Sequence, residues 1–407
     1  MNVGLRKFPY PYRAALAISS DVDNTPDTTT YFAMLDYLNG TGSTPFGRGL
    51  GLEVGNSFWF FNGTGGRQVS YFDSDGRETD FAAPCRELWQ SGHIDTLHSY
   101  GNFDTGGFTR QHAEKGVAAL QAHGANIPVW VNHGNEHNSQ NVGPHRPFHG
   151  GQPDSPAYHM DLTREAGLRY YWIGRLTHIL GQDARRRFGI TTKRWLQELV
   201  RLLRYRNIDR AFYDFSNRLI LPATLQDGAT VWDFQRWVNA WGEVTELDAV
   251  DLAVQLRPRN IAALIRNAGF LIIYTHMTEN LPAARGLPDG LEAGLKNLKR
   301  AHDEGRLLVA TSGRLLRYRE LSQFVDYQAT ATDGGTLITI APRLRAPVGD
   351  LALEPSDLNG LTFHVDDPDR VEVTFGGKVL ATATNPPDET GRPSISIPWV
   401  ALEYPRA

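Results

Sequence analysis

The stretch ALAISSDVDNT, Ala15–Thr25, decides the fold class of this 407-residue chain. Its apolar first half is typical of a buried strand, and the strand ends in two carboxylates, Asp21 and Asp23, spaced Asp-x-Asp. In an extended backbone, residues two apart point to the same side, so both carboxylates face one space. The carboxyl ends of parallel strands are where α/β proteins place their chemistry. Because two crowded acids must titrate apart or share a cation, this pair is a candidate site.

Composition and charge argue against several classes of protein. The 41 basic and 45 acidic residues give a formal net charge of −4, so the chain lacks the basic excess that nucleic-acid-binding proteins show. No stretch approaches the roughly 20 consecutive apolar residues of a membrane-spanning helix. The single cysteine, Cys85, excludes an internal disulfide framework. The first residues do not follow the pattern of a signal peptide, and we therefore expect a cytoplasmic protein.

Strand-like and helix-like segments alternate through the first three quarters of the chain. Short apolar or β-branched runs predict strands at Ala15–Ile18, Gly51–Val54, Ile127–Val131, Phe270–Tyr274 and Leu307–Thr311. Helical periodicity predicts helices at Thr109–His123, Lys193–Arg204 and Leu291–Glu304. This alternation favours an α/β fold with parallel strands, arranged as a distorted or partial (β/α) barrel.

The pattern of predicted secondary structure changes after about Gln328. Strand-like runs are then separated by Gly, Pro, Asn and Asp turns, and no helical pattern continues. We therefore expect two domains: a barrel over residues 1–329 and a small all-β domain over residues 330–407.

A histidine follows a second strand-like run. In QSGHIDTLHSYGNFD, Gln90–Asp104, the run His93–Leu97 is followed directly by His98 and Ser99. A neutral imidazole offers a lone pair to a divalent metal at neutral pH. Because His98 follows one strand and the Asp-x-Asp pair follows another, a shared metal site is the favoured interpretation.

These residues resemble the polysaccharide deacetylases of the NodB homology type, carbohydrate esterase family 4. That family has a strand-terminal Asp-x-Asp or Asp-Asp and a downstream Gly-His-x-(Ile/Leu)-x-x-His-(Ser/Thr)-x-x-His segment, which the run Gly92–Asn102 resembles. The resemblance implies that Asp21 is the catalytic base and that Asp23 and His98 bind a divalent metal, most readily Zn²⁺. Asn102 stands where the family has its second motif histidine, and by position it becomes the third metal ligand.

Later segments follow in the order that the family has. The strand-like run from Ile127 leads into NHGNEHN, where His133, Asn135 and His137 replace the family's Arg-Pro-Pro-Tyr. They could bind substrate, donate to a tetrahedral oxyanion or supply a missing metal ligand. The run FLIIYTHM places His276 as the general acid. Tyr171 and Trp172, in a segment faintly like the family's aromatic motif, could form part of a sugar or acetyl pocket.

The resemblance covers about residues 12–313 and implies metal-assisted amide hydrolysis. The expected reaction is removal of an acetyl group from an N-acetylated sugar, such as a precursor of a bacterial surface polysaccharide. Two alternatives remain open from the residues. One is a carbohydrate-binding protein of the same fold that has lost catalysis, which Asn102 favours. The other is an unrelated barrel hydrolase or isomerase in which His98, His133 and His276 bind the metal and the two aspartates orient them.

Overall fold

The computed structural model describes most of the chain. The described residues are 2–134, 138–145, 148–184, 217–238, 244, 246–279, 281 and 286–406, together with Thr192, Leu196 and Leu199. Across those ranges, no helix is long and apolar enough to cross a membrane. The predicted helix at Lys193–Arg204 lies almost entirely outside the described residues.

Eight α-helices are present in the described residues. They are α1 (Thr28–Asn39), α2 (Ala82–Ser91), α3 (Arg110–Ala122), α4 (Met160–Glu165), α5 (Ala249–Gln255), α6 (Pro258–Asn267), α7 (Leu291–Asp303) and α8 (Ser312–Phe324). Helix α1 begins after Asp27, whose carboxylate accepts a hydrogen bond from the Thr30 amide at 2.7 Å and so satisfies a free N–H of the first turn. In α7, Leu291, Leu295 and Leu298 are spaced i, i+4 and i+7 and are buried, as expected of an amphipathic helix.

Two sheets of mainly parallel strands lie among these helices. Their strands and the short strands near them are β1 (Gly4–Leu5), β2 (Ala14–Ser20), β3 (Ser43–Thr44), β4 (Gly47–Arg48), β5 (Ser57–Phe58), β6 (Phe61–Asn62), β7 (Thr96–His98), β8 (Gly101–Asn102), β9 (Val129–Val131), β10 (Tyr170–Trp172), β11 (Leu176–Thr177), β12 (Ile220–Thr224), β13 (Thr230–Phe234), β14 (Arg236–Trp237), β15 (Phe270–Thr275) and β16 (Leu307–Val309). One sheet has the order β12-β13-β10-β9-β7-β5 and the other the order β11-β14-β15-β2-β16. Only β12 pairs antiparallel within these two sheets.

Short segments link the two sheets. Only Gln235 separates β13 of the first sheet from β14 of the second, and three residues separate β10 from β11. The outer strands β5 and β16 do not pair with each other in the described part of the chain. The structure is therefore a mixed α/β fold with parallel sheets, and a closed or partial barrel stays a prediction.

The remaining strands follow α8. They are β17 (Tyr327–Thr332), β18 (Gly335–Ile340), β19 (Arg343–Leu344), β20 (Leu351–Ala352), β21 (Thr362–His364), β22 (Val371–Phe375), β23 (Lys378–Val379), β24 (Ala383–Asn385) and β25 (Ser394–Ser396). The N-terminal strand β1 pairs with β21. Ile338 and Phe363 belong to the same buried cluster as Ala15 and Phe270. Because both parts share a sheet and a core, the boundary at 329/330 and an independent all-β domain stay predictions.

The sheets bring four chain segments to one edge. Strands β7 and β9 are adjacent in the first sheet, and β2 and β15 are adjacent in the second. All seven residues of β2 are buried, as expected of a parallel strand covered on both faces. The residues that follow these four strands therefore emerge at carboxyl ends, where side chains from distant parts of the sequence can meet.

Buried histidines make the fold sensitive to acid. The imidazole of His159 is fully buried between Thr163 Oγ1 and the Gln140 carbonyl, each at 2.8 Å, and burial lowers its pKa to about 4. Burial, assisted by the charge of Arg314, also lowers the pKa of His93 to about 4. Between pH 6.5 and 4 the unfolded chain therefore binds protons that the folded chain does not, so stability falls as pH falls.

We expect each of these histidines to make the unfolding free energy about 2 kcal/mol lower at pH 5 than at pH 7. This figure follows from 1.36 kcal/mol for each unit of difference between the pKa values of the folded and unfolded chain. Urea denaturation at several pH values measures this loss. The variant His159→Gln is expected to lose stability less steeply with acid, since the contribution of His159 is then removed. Equal slopes for the wild type and His159→Gln would contradict the assignment.

Candidate metal centre

Asp21 and Asp23 lie where β2 ends. The Asp21 amide donates to the Thr275 carbonyl at 2.8 Å, which extends the pairing of β2 with β15 by one residue. The Asp21 side chain is 1% exposed and that of Asp23 is 17% exposed. Asp21 is thus held inside the fold, whereas Asp23 reaches the more open side of the same strand end.

His98 is the last residue of β7 and contacts Asp23. Its Nε2 lies 2.8 Å from Asp23 Oδ2 and 3.9 Å from Asp21 Oδ2. The imidazole is 2% exposed and stacks on the buried Trp59 ring, with 5.8 Å between ring centres and 13° between planes. Packing against Trp59 fixes the ring orientation with one nitrogen toward the two carboxylates.

His133 completes this group from a third strand end. It lies two residues after β9, and its backbone is held by Asn141, whose side chain accepts from the His133 amide and donates to its carbonyl. The imidazole Nε2 donates to Asp23 Oδ1 at 2.6 Å. Its ring lies perpendicular to that of His98, with 4.9 Å between ring centres. The structure therefore brings two imidazoles to the two oxygens of one carboxylate.

The donor atoms of Asp23, His98 and His133 fit a metal ion. Each residue offers a ligand atom within 4.8 Å of the other two. Asp23 Oδ2 and His98 Nε2 are buried, lie 2.8 Å apart and have no hydrogen-bond partner among the described residues. Two imidazoles and one carboxylate, with a fourth position open, form the ligand set of many catalytic zinc sites.

Electrostatics at this group favour a positive charge between its members. Burial alone would raise the pKa of Asp23, but attraction to His98 and the hydrogen bond from His133 hold that pKa well below its usual value. Burial alone would lower the pKa of His98, but Asp21 and Asp23 outweigh it and raise that pKa. The cluster thus stabilises a cation, either a proton on imidazole or a metal ion that competes with it.

Arg236 forms a buried ion pair with Asp21. Its guanidinium donates to both Asp21 oxygens, at 2.8 and 3.1 Å, and both side chains are almost completely buried. The guanidinium packs against the rings of both Trp172 and Tyr274, 3.6 and 3.7 Å from their centres. A bidentate pair with a stacked guanidinium keeps Asp21 in one orientation.

His276 follows β15 and faces the same carboxylates. Its amide donates to the Leu247 carbonyl at 2.5 Å, and its Nε2 lies 3.7 Å from Asp23 Oδ2. The other ring nitrogen lies 3.7 Å from a Glu279 oxygen. A second group of possible ligand atoms consists of Asp21, Asp23 and His276, so His276 lies within reach of whatever binds at Asp23.

The remaining predicted site residues have other surroundings. The Asn102 side chain accepts a hydrogen bond from the Asp104 amide at 3.3 Å, and its role as a metal ligand stays a prediction. Tyr171 is fully buried, and its hydroxyl donates a hydrogen bond to the Leu168 carbonyl at 3.1 Å. Trp172 packs on Arg236. Asn135 and His137 lie outside the described residues.

We expect His133, rather than Asn102, to control metal affinity. Changes in groups that only orient a ligand cost about 10–100-fold in affinity, so His133→Ala is expected to weaken Zn²⁺ binding by more than about 100-fold. Asn102→Ala is expected to change it less than about threefold, since imidazole is the better zinc ligand. Competition with a chromophoric chelator measures both. A similar loss of Zn²⁺ affinity in the two variants would contradict this expectation and indicate that Asn102 is a metal ligand.

Comparisons with family models, with curated proteins and with solved structures gave no match to this chain.

Proposed function

We propose that this protein is a metal-dependent hydrolase that removes the acetyl group from an N-acetylated carbohydrate. The observation that carries this proposal is the contact of Asp23 with His98 and His133, beside an Asp21 that Arg236 holds in place. A zinc-type ligand set next to a separate, oriented carboxylate is what metal-assisted hydrolysis needs.

Each residue has a distinct task in the proposed reaction. Asp23, His98 and His133 would hold a divalent metal ion, which when bound lowers the pKa of water and polarises a carbonyl oxygen. Asp21 accepts the proton of the attacking water. Each of its oxygens has a lone pair left beside the hydrogen bond from Arg236. The buried guanidinium holds this carboxylate in one orientation beside the metal ligands.

His276 is the proposed general acid. Its Nε2 lies 3.7 Å from the ligand Asp23, on the edge where a leaving group would depart. A proton held there passes to the nitrogen as the carbon–nitrogen bond breaks, so the product leaves as a neutral amine. Glu279 lies 3.7 Å from the other ring nitrogen and orients the imidazole for this role.

The carbohydrate part of the proposal depends on the resemblance to polysaccharide deacetylases. His133 supports that resemblance because it supplies a third ligand atom where the family's second motif histidine is missing. This weakens the reason for regarding the protein as a binding protein without catalysis. We extend the proposal to a sugar unit of a surface-polysaccharide precursor as substrate.

The proposal is tested by acetate release from N-acetylated sugars. The metal-free protein is loaded with one equivalent of Zn²⁺ and incubated with N-acetylglucosamine oligosaccharides and with a nucleotide-linked N-acetylhexosamine. Turnover is expected with metal and is expected to stop with chelator. Asp21→Asn and His276→Gln are expected to keep the metal and lose about 10²–10⁴-fold in rate. Full activity in both variants, or no release from any of these substrates, would refute it.

A further inference from the structure

Asp104 lies beside the ring nitrogen of His133 that does not face Asp23. Its Oδ1 is 3.4 Å from His133 Nδ1, whereas His133 Nε2 contacts Asp23 Oδ1. The Asp104 side chain is 44% exposed and the imidazole is 4% exposed. Among the described residues, Asp104 belongs to neither group of possible metal-ligand atoms. It is therefore a neighbour of a candidate ligand and not a ligand itself.

Neighbouring residues hold the Asp104 carboxylate against this ring. Asn138, which is buried, donates through Nδ2 to Asp104 Oδ1 at 3.1 Å. The Asp104 amide donates to the Asn102 side chain at 3.3 Å. Residue 134 is a glycine with a positive φ of 64°, and a Cβ there would overlap Asp104 Oδ1. The carboxylate thus occupies space that a side chain directly after His133 would take.

The tautomer of His133 decides what this contact does. A neutral imidazole carries one proton, so a ring that gives its Nε2 lone pair to a metal ion carries that proton on Nδ1. Because the ring is buried, this N–H needs an acceptor. Asn138 Nδ2 also lies 3.4 Å from His133 Nδ1, but it only donates, and the Asn138 oxygen accepts from the Gln140 amide. The Asp104 carboxylate, in contrast, can accept the Nδ1 proton.

We propose that Asp104 is a positioning residue of the metal centre: it accepts a hydrogen bond from His133 Nδ1 and so directs Nε2 toward the ion. Carboxylate partners of this kind fix the tautomer and orientation of a metal-binding imidazole and strengthen its lone pair as a ligand. The inference rests on the metal centre of the proposed function. It adds a residue that acts through His133 and does not touch the substrate.

Zn²⁺ affinity tests this role without any substrate, by competition with a chromophoric chelator. Asp104→Ala is expected to weaken binding about 10–100-fold, the usual cost of removing a group that orients a metal ligand. Asp104→Asn keeps an acceptor oxygen and is expected to lose less. Asp350→Ala is the matched control, because the Asp350 side chain is similarly exposed, at 48%, and pairs with Arg343. Its Zn²⁺ affinity is expected to equal that of the wild type.

The His133→Ala background separates positioning from other effects of the carboxylate. Without the imidazole, Asp104 has no ligand to orient, so adding Asp104→Ala is expected to cause no further loss of Zn²⁺ affinity. A carboxylate that only supported the local fold, or attracted the cation through space, would weaken binding equally in both backgrounds. Urea denaturation of the metal-free variants establishes that each is folded.

Two results would overturn the role of Asp104 alone: unchanged affinity in Asp104→Ala, or equal losses with and without His133. Absence of Zn²⁺ binding by the wild type would overturn it together with the metal centre. A protein that binds Zn²⁺ but releases no acetate would refute the proposed hydrolysis and leave this role intact, so the two failures are distinguishable.

Discussion

Replacing Asp23 by alanine is expected to abolish metal binding and to lower the rate of acetate release by at least about 10³-fold. The Asp23 carboxylate contacts both candidate ligand imidazoles, with one oxygen toward His98 and the other toward His133. Without it, two imidazoles remain, which are too few to retain a catalytic zinc ion. A metal ion stabilises the transition state by several kcal/mol. Since each 1.36 kcal/mol of activation free energy changes the rate tenfold, losing the metal accounts for a rate decrease of this size.

Metal content per chain and acetate release measure the effect of Asp23→Ala. Asp289→Asn is the control, because it removes an exposed carboxylate and is expected to leave metal content and rate unchanged. Circular dichroism establishes that both variants are folded. One zinc per chain together with normal turnover in Asp23→Ala would show that the ligand set is a different one.

The strand ends that carry the candidate site were predictable from local sequence. The apolar run before Asp21 and the run before His276 are confirmed as strands β2 and β15, because continuous apolar segments are typical of parallel strands buried on both faces. His98 was expected directly after its strand and is instead the last residue of β7. In each case, the residue type and its place at a strand end were enough to suggest a role.

The predicted strand at Gly51–Val54 was wrong. The segment is largely buried, as its apolar residues suggested, but its backbone does not pair with a strand. The Leu52 amide donates to the Leu38 carbonyl, and the Val54 amide donates to the Asn39 side chain. The end of α1 thus satisfies the polar groups that a neighbouring strand would otherwise satisfy, and a short apolar run cannot distinguish the two.

The partners within the site could not be predicted from the sequence. His133 was placed among the substrate-binding residues, with a metal ligand as one alternative, and local sequence could not decide because its contact with Asp23 spans 110 residues. Arg236 was missed altogether, since its partner Asp21 is 215 residues away. That contact depends on the register of β14 against β15, with Trp237 opposite Ile273. The only local indication of a role for Arg236 was its place as a basic residue near the end of the strand-like run TVWDFQRW.

Replacing Arg236 by glutamine is expected to cost about 3–5 kcal/mol of unfolding free energy, the range for removing one partner of a buried ion pair. Both side chains are at most 1% exposed, so Asp21 would keep its burial and lose its counter-ion. Without its bidentate partner, the Asp21 carboxylate is also no longer held in one orientation beside the metal ligands. The rate of acetate release is therefore expected to fall about 10²–10⁴-fold.

The double variant Asp21→Asn/Arg236→Gln separates stability from catalysis. Asp21→Asn alone leaves a buried guanidinium that stays charged, so it is expected to destabilise the fold as well. In the double variant no uncompensated charge remains. Its loss of unfolding free energy is therefore expected to be about 1–3 kcal/mol smaller than the sum of the losses in the two single variants, a coupling typical of contacting residues. Activity is not expected to return at any pH, because the base is absent. Additive losses in urea denaturation would show that the two side chains do not depend on each other, and Arg236 would then have no role in holding Asp21.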